Sequence, residues 1–145
     1  MVLGYHLIIS TYGFWMPNET CGSWSSFVRS YELWRAGGDA TKVDTRRSVA
    51  GQRYDPAQRA RTRAALARPP VLWTGIQAVT IAKGFASYCK RTGCILHACA
   101  IMPDHAHLVV RRHRVSIEAV CEQPKGAATA QLNAAGLHPF GNLPR

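Results

Sequence analysis

The alternation of apolar and polar residues predicts three strands in this chain. Residues 5–12 are rich in aliphatic, aromatic and β-branched side chains, and they predict a central strand. The apolar runs 94–102 and 105–110 flank Pro103-Asp104, a pair typical of turns, and predict an antiparallel hairpin. In the first strand, one face carries His6, Ile8 and Ser10, and the other carries Leu7, Ile9 and Thr11.

The same alternation assigns two faces to the hairpin. His105 and His107 point the same way, and a two-residue turn places Ala98, Ala100 and Met102 beside them. These small residues leave room next to the imidazoles. The opposite face has the composition of a core: Cys99, Ile101, Ala106, Leu108 and Val110.

Three-four spacing predicts the helices. The clearest covers residues 75–91, begins with the capping box of Thr74 and Gln77, and ends at Gly93. Its expected buried face consists of Ala78, Ile81, Ala82, Phe85, Tyr88 and Cys89.

Three weaker helical segments surround this one. Residues 27–35 predict a short helix, and Asp55 and Pro56 begin another that runs to about residue 67, with a weak apolar stripe of Ala57, Ala60, Ala64 and Ala67. After the hairpin, Ser116 caps a short helix that Pro124 ends or kinks, and a second piece covers residues 125–134, with Gly136 as its stop.

The order of these elements predicts an α+β fold. The predicted order is strand, inserted loop, helix, strand, strand and helix. This order fits a ferredoxin-like antiparallel sheet with helices on one face. The first strand then lies next to the strand of His105 and His107, so His6 is a candidate to lie beside these two histidines. A purely structural role for His6 is the simpler interpretation. At 145 residues we expect a single domain, with a basic insertion at about residues 42–68.

Charge indicates a polyanionic partner. The formal net charge is +10 with a pI near 10.0, and residues 42–68 carry eight basic residues against Asp44 and Asp55. A basic surface that merely keeps the protein soluble is the alternative. The candidate nucleic-acid contacts are Arg59, Arg61, Arg63, Arg111, Arg112, Arg114 and Lys125.

The remaining composition predicts a cytoplasmic protein. Five cysteines form no Cys-x-x-Cys pair, and the odd number favours reduced thiols. The first twelve residues lack the pattern of a signal peptide, and no stretch approaches the ~20 apolar residues of a membrane span.

The histidine pair suits a divalent metal. Two imidazoles on one strand face could be ligands, but a third protein ligand and a substrate oxygen would be needed to complete the site. Asp104 is the nearest carboxylate in sequence, and we expect the turn to point it away. Two structural histidines are the alternative.

The string around this pair resembles the histidine-hydrophobic-histidine (HUH) signature of the single-strand tyrosine transposases, most closely the branch of REP-associated tyrosine transposases. It reads Met102-Pro103-Asp104-His105-Ala106-His107-Leu108-Val109-Val110. The opening residues 5–18 resemble the first strand and loop of that branch, and residues 125–129 resemble the helix after the signature.

This resemblance implies a function. Mg²⁺ or Mn²⁺ would be held by His105 and His107 and would polarise the scissile phosphate of single-stranded or hairpin DNA. A tyrosine would attack the phosphorus, leaving a 5′-phosphotyrosine link and a free 3′-hydroxyl. Breaking and rejoining DNA in this way is the chemistry of transposition.

One part of the family pattern is missing from the sequence. The family's nucleophile lies on a helix downstream of the signature, whereas the tyrosines here are Tyr5, Tyr12, Tyr31, Tyr54 and Tyr88. We expect a truncated chain or an incomplete gene model. A second copy in a homodimer could instead supply the tyrosine, and Tyr12 or Tyr88 could act in its place, Tyr88 being the weaker candidate because it belongs to the predicted core.

Three functions therefore stay open. The first is a single-stranded DNA nicking and rejoining domain that lacks its usual nucleophile. The second is a catalytically silent DNA- or RNA-binding remnant. The third, which we favour least, is a metal-dependent hydrolase in which water attacks the phosphate.

Overall fold

The computed structural model describes residues 2–16, 30–38 and 55–141, which contain three strands and four helices. In chain order these are β1 (Gly4–Ser10), α1 (Tyr31–Gly37), α2 (Pro56–Ala64), α3 (Gly75–Thr92), β2 (Leu96–Ile101), β3 (His105–Arg111) and α4 (Ile117–Ala134). The chain divides into two compact units. One combines Met1–Thr11 with Val71–Arg145, and the other is Tyr12–Pro70.

The unit of Tyr12–Pro70 contains the two short helices. Ser30 caps α1, and the Asp55 carboxylate caps α2 by accepting hydrogen bonds from the backbone N–H groups of Ala57 and Gln58, at 2.9 and 3.0 Å. The Gln58 side chain donates to the Gly37 carbonyl at 2.9 Å and so joins the two helices. Residues 27–29 of the first predicted helix, and residues 42–54 of the predicted insertion, lie outside the described residues.

The predicted apolar stripe of α2 is wrong. Its alanines are exposed, namely Ala57, Ala60, Ala64 and Ala67, while Thr62 is fully buried. The Thr62 hydroxyl donates to the Gln58 carbonyl at 2.9 Å, so this polar side chain is buried with its hydrogen bond made. The helix also ends at Ala64, three residues before the predicted end.

The unit of Met1–Thr11 and Val71–Arg145 contains an antiparallel sheet in the order β1-β3-β2. The prediction that the first strand is central is wrong for the described sheet, because β3 is central and β1 is an edge strand. The expected adjacency of β1 and β3 is confirmed, with Ile8 opposite His107 and Ser10 opposite His105.

The hairpin of β2 and β3 has the predicted two-residue turn. The Met102 N–H donates to the His105 carbonyl at 2.8 Å, and Ala100 lies opposite His107. A bulge at His97 lets Leu96 pair with Val110 and Ala98 with Val109. Cys99, predicted in the core, is exposed, although its partner Leu108 on β3 is buried.

Backbone hydrogen bonds anchor this turn on both sides. The carbonyl of Asp104 accepts from both the N–H and the hydroxyl of Thr11, each at 2.9 Å. The carbonyl of Pro103 accepts from the Trp73 N–H at 2.7 Å. The start of the histidine strand is therefore held by the end of β1 and by the segment that leads into α3.

One face of the sheet and two helices form the core. Leu7, Ile9, Ala106, Leu108 and Val110 of the sheet pack with residues of α3 and α4, which are Ile81, Phe85, Tyr88, Val120, Ala128 and Leu132. The α+β class and the helices on one face are confirmed. Burial of these apolar side chains is the main stabilising contribution to this unit.

The two long helices follow their capping signals. Both hydrogen bonds of the Thr74–Gln77 capping box are present, and Gly93 ends α3 in the left-handed region with φ 71°. On the buried face of α3, Thr80 and Gly84 replace the predicted Ala78 and Ala82, and Gly84 faces the backbone of Ala128 on α4.

The helix after the hairpin is continuous, so Pro124 does not end it, and the predicted second piece at 125–134 belongs to the same helix. Ser116 accepts a hydrogen bond from the Ala119 N–H at 3.4 Å, and one helix runs from there past Pro124 to Ala134. Pro124 itself is buried, and its packing offsets the backbone hydrogen bond that a proline cannot donate. None of the helices in the described ranges is long and apolar enough to cross a membrane.

Candidate functional site

Three histidines lie together on the sheet face opposite the core. His105 and His107 alternate with the buried Ala106 and Leu108 along β3, and His6 alternates with the buried Leu7 on β1. His6 is exposed, while His105 and His107 are half-buried. The strand register brings His6 diagonally across from His107, since His107 pairs with Ile8.

The three rings form a chain of close contacts. His105 Nε2 lies 2.9 Å from His107 Nε2, and His107 Nδ1 lies 2.9 Å from His6 Nε2. The His6 and His107 rings are stacked, with centroids 5.0 Å apart and planes 16° apart. The His105 ring meets the His107 ring edge to face, at 83°. His107 is thus the central member and uses both of its ring nitrogens.

Asp104 extends this chain by one group. Its Oδ1 lies 2.7 Å from His105 Nδ1, so the carboxylate accepts the Nδ1–H hydrogen bond. The expectation that the turn points Asp104 away is wrong. Because the turn closes with only two residues, the carboxylate stays beside the first histidine of β3.

Electrostatics favour the uncharged form of the central ring. Desolvation, together with the charges that His105 and His6 carry when protonated, lowers the pKa of His107 below its usual range. A metal ligand must be a neutral imidazole, so the lowered pKa keeps His107 available at lower pH than a free histidine.

The pair His105 and His107 fits a divalent ion by the chemistry of its donors. Two nitrogens bound at right angles to one ion, each about 2.1 Å from it, are roughly 3 Å apart. The observed Nε2 to Nε2 distance is 2.9 Å. His6 approaches His107 from the other ring nitrogen, so the three imidazoles do not converge on one point. Within residues 2–16, 30–38 and 55–141, no group of three or more His, Cys, Asp or Glu side chains could hold a metal ion.

Of the predicted tyrosine candidates, Tyr88 lies on the opposite side of the sheet from the histidines. Tyr88 is 1% exposed in the core, on the helix-covered side of the sheet, and burial raises the pKa of its hydroxyl. Tyr5 pairs with Val110 and packs against the same core. Tyr12 belongs to the unit of Tyr12–Pro70 and is half-buried.

The predicted basic contacts are spread over several elements. Arg111, at the end of β3, is exposed on the histidine face about 13 Å along the strand from His107. Arg112 and Arg114 follow it and are exposed too, while Lys125 on α4 forms an ion pair with Glu122 at 2.9 Å. On α2, in the other unit, Arg61 and Arg63 are exposed and Arg59 is half-buried.

The histidine face also has an apolar floor. Ile8 is 37% exposed and Val109 is 39% exposed, and Ala98 and Ala100 are exposed beside them. Ala98 and Ala100 are where the sequence predicts them, beside the imidazoles, and Ile8 is on the predicted face of His6, whereas Val109 was not predicted as part of this face. The signal was the position of these residues in the same alternation that places the histidines.

The structure thus combines a basic α+β scaffold with two half-buried imidazoles on the sheet face opposite the core, a candidate site for a divalent ion. Residues 67–138 match the sequence model of the family described as Transposase IS200 like. The match covers 72 of the 145 residues, just under half of the chain, and shows that this segment is similar to that family. Transposases of this family generally use a divalent metal.

The matched segment contains α3, both strands of the hairpin and α4, and hence His105 and His107. Strand β1, with His6, lies outside it. Comparison with the curated proteins gives no match, and neither does comparison with the solved structures.

Proposed function

We propose that the chain binds single-stranded or hairpin DNA on the histidine face and nicks and rejoins it, with Mg²⁺ or Mn²⁺ held by Nε2 of His105 and His107. The observation that carries this proposal is the facing pair of Nε2 atoms, 2.9 Å apart, on the sheet face opposite the core and within the segment that matches the transposase family. We also propose that the chain is of the REP-associated branch and that its sheet has the ferredoxin-like arrangement. It would then form a single domain with a basic insertion at about residues 42–68.

The residues of this face have distinct tasks in such a reaction. When bound, the ion supplies positive charge to an oxygen of the scissile phosphate. Asp104 holds the His105 ring through Nδ1 and leaves Nε2 free of its proton. Ala98 and Ala100 leave space above the strand, Ile8 and Val109 offer apolar contact to an unpaired base, and Arg111 contacts a phosphate further along the strand.

The nucleophile is a tyrosine hydroxyl. Its oxygen forms an ester with the phosphorus while the bond from phosphorus to the 3′ oxygen breaks, so the DNA keeps a 5′ link to the protein and gains a 3′-hydroxyl. The reverse reaction rejoins the strand without ATP. Tyr12 and the tyrosines of a second copy in a homodimer are candidates, whereas Tyr88 would first have to leave the core.

The experiment is incubation of the chain with end-labelled hairpin-forming single-stranded DNA and Mn²⁺, followed by denaturing electrophoresis. We expect a covalent protein–DNA band that is lost in the double variant His105→Ala/His107→Ala. The matched control is His97→Ala, which removes an exposed histidine from the same sheet. Loss of the band in Tyr12→Phe or Tyr88→Phe would identify the nucleophile, and cleavage without a covalent band would indicate hydrolysis by water instead.

A catalytically silent DNA- or RNA-binding protein is the second candidate. It is favoured by the position of Tyr5 and Tyr88, which lie on the core side of the sheet, so no described tyrosine of that unit shares the histidine face. In that case the DNA is bound but stays uncut with Mn²⁺. Binding should weaken with salt, and Arg111→Ala should lower the slope of log K against log[salt] by about 0.7 for the lost phosphate contact.

A further inference from the structure

We infer that His6 is a positioning residue that fixes the His107 ring so that Nε2, and not Nδ1, faces the metal. This inference rests on the proposed metal site. It concerns a residue outside the segment 67–138 that matches the transposase family, and it is drawn from the geometry of the imidazoles alone.

The two nitrogens of His107 have different neighbours. Nε2 faces His105 and Nδ1 faces His6, each at 2.9 Å. If His105 and His107 held an ion through Nε2, His6 would lie beyond the His107 ring and could not be a ligand of the same ion. Among the residues that the structure describes, His6 contacts the site through the hydrogen bond at His107 Nδ1 and through the stacked ring face.

The proton positions follow from this chain of contacts. A neutral imidazole has one N–H and one acceptor nitrogen. Asp104 accepts from His105 Nδ1–H, which leaves His105 Nε2 as an acceptor. Without a metal, His107 Nε2–H donates to His105 Nε2, and His107 Nδ1 accepts from His6 Nε2–H.

With an ion held by both Nε2 atoms, the hydrogen bond between His107 and His105 would be lost and the one between His107 and His6 would reverse. His107 must then carry its proton on Nδ1 and donate it to His6 Nε2, which becomes the acceptor. An imidazole at position 6 can take either role by shifting its own proton to Nδ1. The hydrogen bond on the second nitrogen of a histidine sets which nitrogen binds metal, so His6 selects the ligating atom of His107.

Stacking adds an orientational constraint. The His6 ring lies nearly parallel to the His107 ring, 16° from it, and both residues are on strands whose register is fixed by the buried face. Asp104, in the turn, constrains the orientation of the His105 ring through its hydrogen bond with Nδ1. Each candidate ligand thus has its own partner, and the two partners come from different segments of the chain.

Calorimetric titration with Mn²⁺ tests the role of His6. We expect His6→Leu to bind Mn²⁺ about 10- to 100-fold more weakly than the wild type, the usual effect of losing the hydrogen-bond partner of a metal ligand. His6→Gln keeps an acceptor and a donor at that position, so we expect most of the affinity to return. His97→Leu, the same change at another exposed histidine of the sheet, should bind as the wild type does.

Nitrogen-15 spectra of the histidine rings, recorded with Zn²⁺ as a diamagnetic probe, provide the second readout. In the wild type, His107 should be protonated on Nδ1 and bound through Nε2. In His6→Leu, we expect a mixture in which some His107 rings bind the metal through Nε2 and others bind it through Nδ1, each with the proton on the other nitrogen. Circular dichroism checks that the variants fold, which we expect because His6 is exposed.

The outcomes separate the inference from the function on which it rests. Absence of Mn²⁺ binding by the wild type would overturn the proposed metal site. Binding by the wild type with equal affinity in His6→Leu would overturn the positioning role alone. Spectra that show His6 Nε2 bound to Zn²⁺ would also overturn it, because His6 would then be a ligand.

Discussion

At Gly84, the close packing of α3 against α4 predicts that alanine destabilises the protein, whereas helix propensity alone predicts that alanine stabilises it. A Cβ on Gly84 would lie 2.6 Å from Ala128 Cα, 2.8 Å from Ala128 N and 2.9 Å from the Ala127 carbonyl oxygen. All three are backbone atoms, so no side chain can rotate away. Gly84→Ala must therefore push the two helices apart.

The magnitude follows from two opposing contributions. In an exposed helix, alanine is more favourable than glycine by about 1 kcal/mol. Overpacking a close contact costs about 1–3 kcal/mol, and the short distances here place Gly84→Ala at the upper end. We expect a net destabilisation of about 1–2 kcal/mol. Gly126 on α4 is the matched control, because a Cβ there has nothing within 4 Å, and Gly126→Ala should stabilise by about 0.5–1 kcal/mol.

Urea unfolding followed by circular dichroism measures both variants. With a slope of about 1.5 kcal/mol per molar urea, the midpoint of Gly84→Ala should fall by about 1 M, while that of Gly126→Ala should rise. If Gly84→Ala were as stable as Gly126→Ala, the close approach of α3 and α4 would be refuted.

Three further predictions concern stability. Thr74→Ala, which removes the cap of α3, should cost about 0.5–2 kcal/mol in urea unfolding, and Thr74→Ser should restore most of it. Leu108→Ala should cost about 2–5 kcal/mol and the neighbouring Val109→Ala much less; equal losses would contradict the two-faced sheet. The folded pKa of His107 is lowered from 6.5, so the unfolded chain binds more protons: stability of the metal-free protein should fall as pH drops from about 7 through the folded pKa, and His107→Gln should flatten this dependence.

Local signals predicted the hairpin and the long helix because each is determined by neighbouring residues. Alternation in 105–110 fixed the two faces of β3, and the short turn fixed its register with β2. Thr74, Gln77 and Gly93 likewise determine the ends of α3 from within a few residues.

Features that depend on tertiary packing were missed. Thr62 is buried although it is polar, and α4 continues past Pro124, which is also buried; the local pattern of residues predicted neither outcome. In the site, the pair His105 and His107 could be found from spacing, but the contacts of His6 and Asp104 with these rings depend on strand register and turn geometry. His6 was noted only as a neighbour, and Asp104 was expected to point away.

The anchored turn determines how far the histidine motif can be moved. Both of its carbonyl groups are occupied, by Thr11 and by Trp73, which lie in segments distant in sequence. Residues 96–111 grafted onto another scaffold would keep the motif but lose both anchors, and an inserted residue at 103–104 would displace Asp104 from His105. The transferable unit is therefore a discontinuous one that includes the first strand and the segment before α3, so engineering or searching for such sites by the nine-residue string alone would omit the parts that hold it in place.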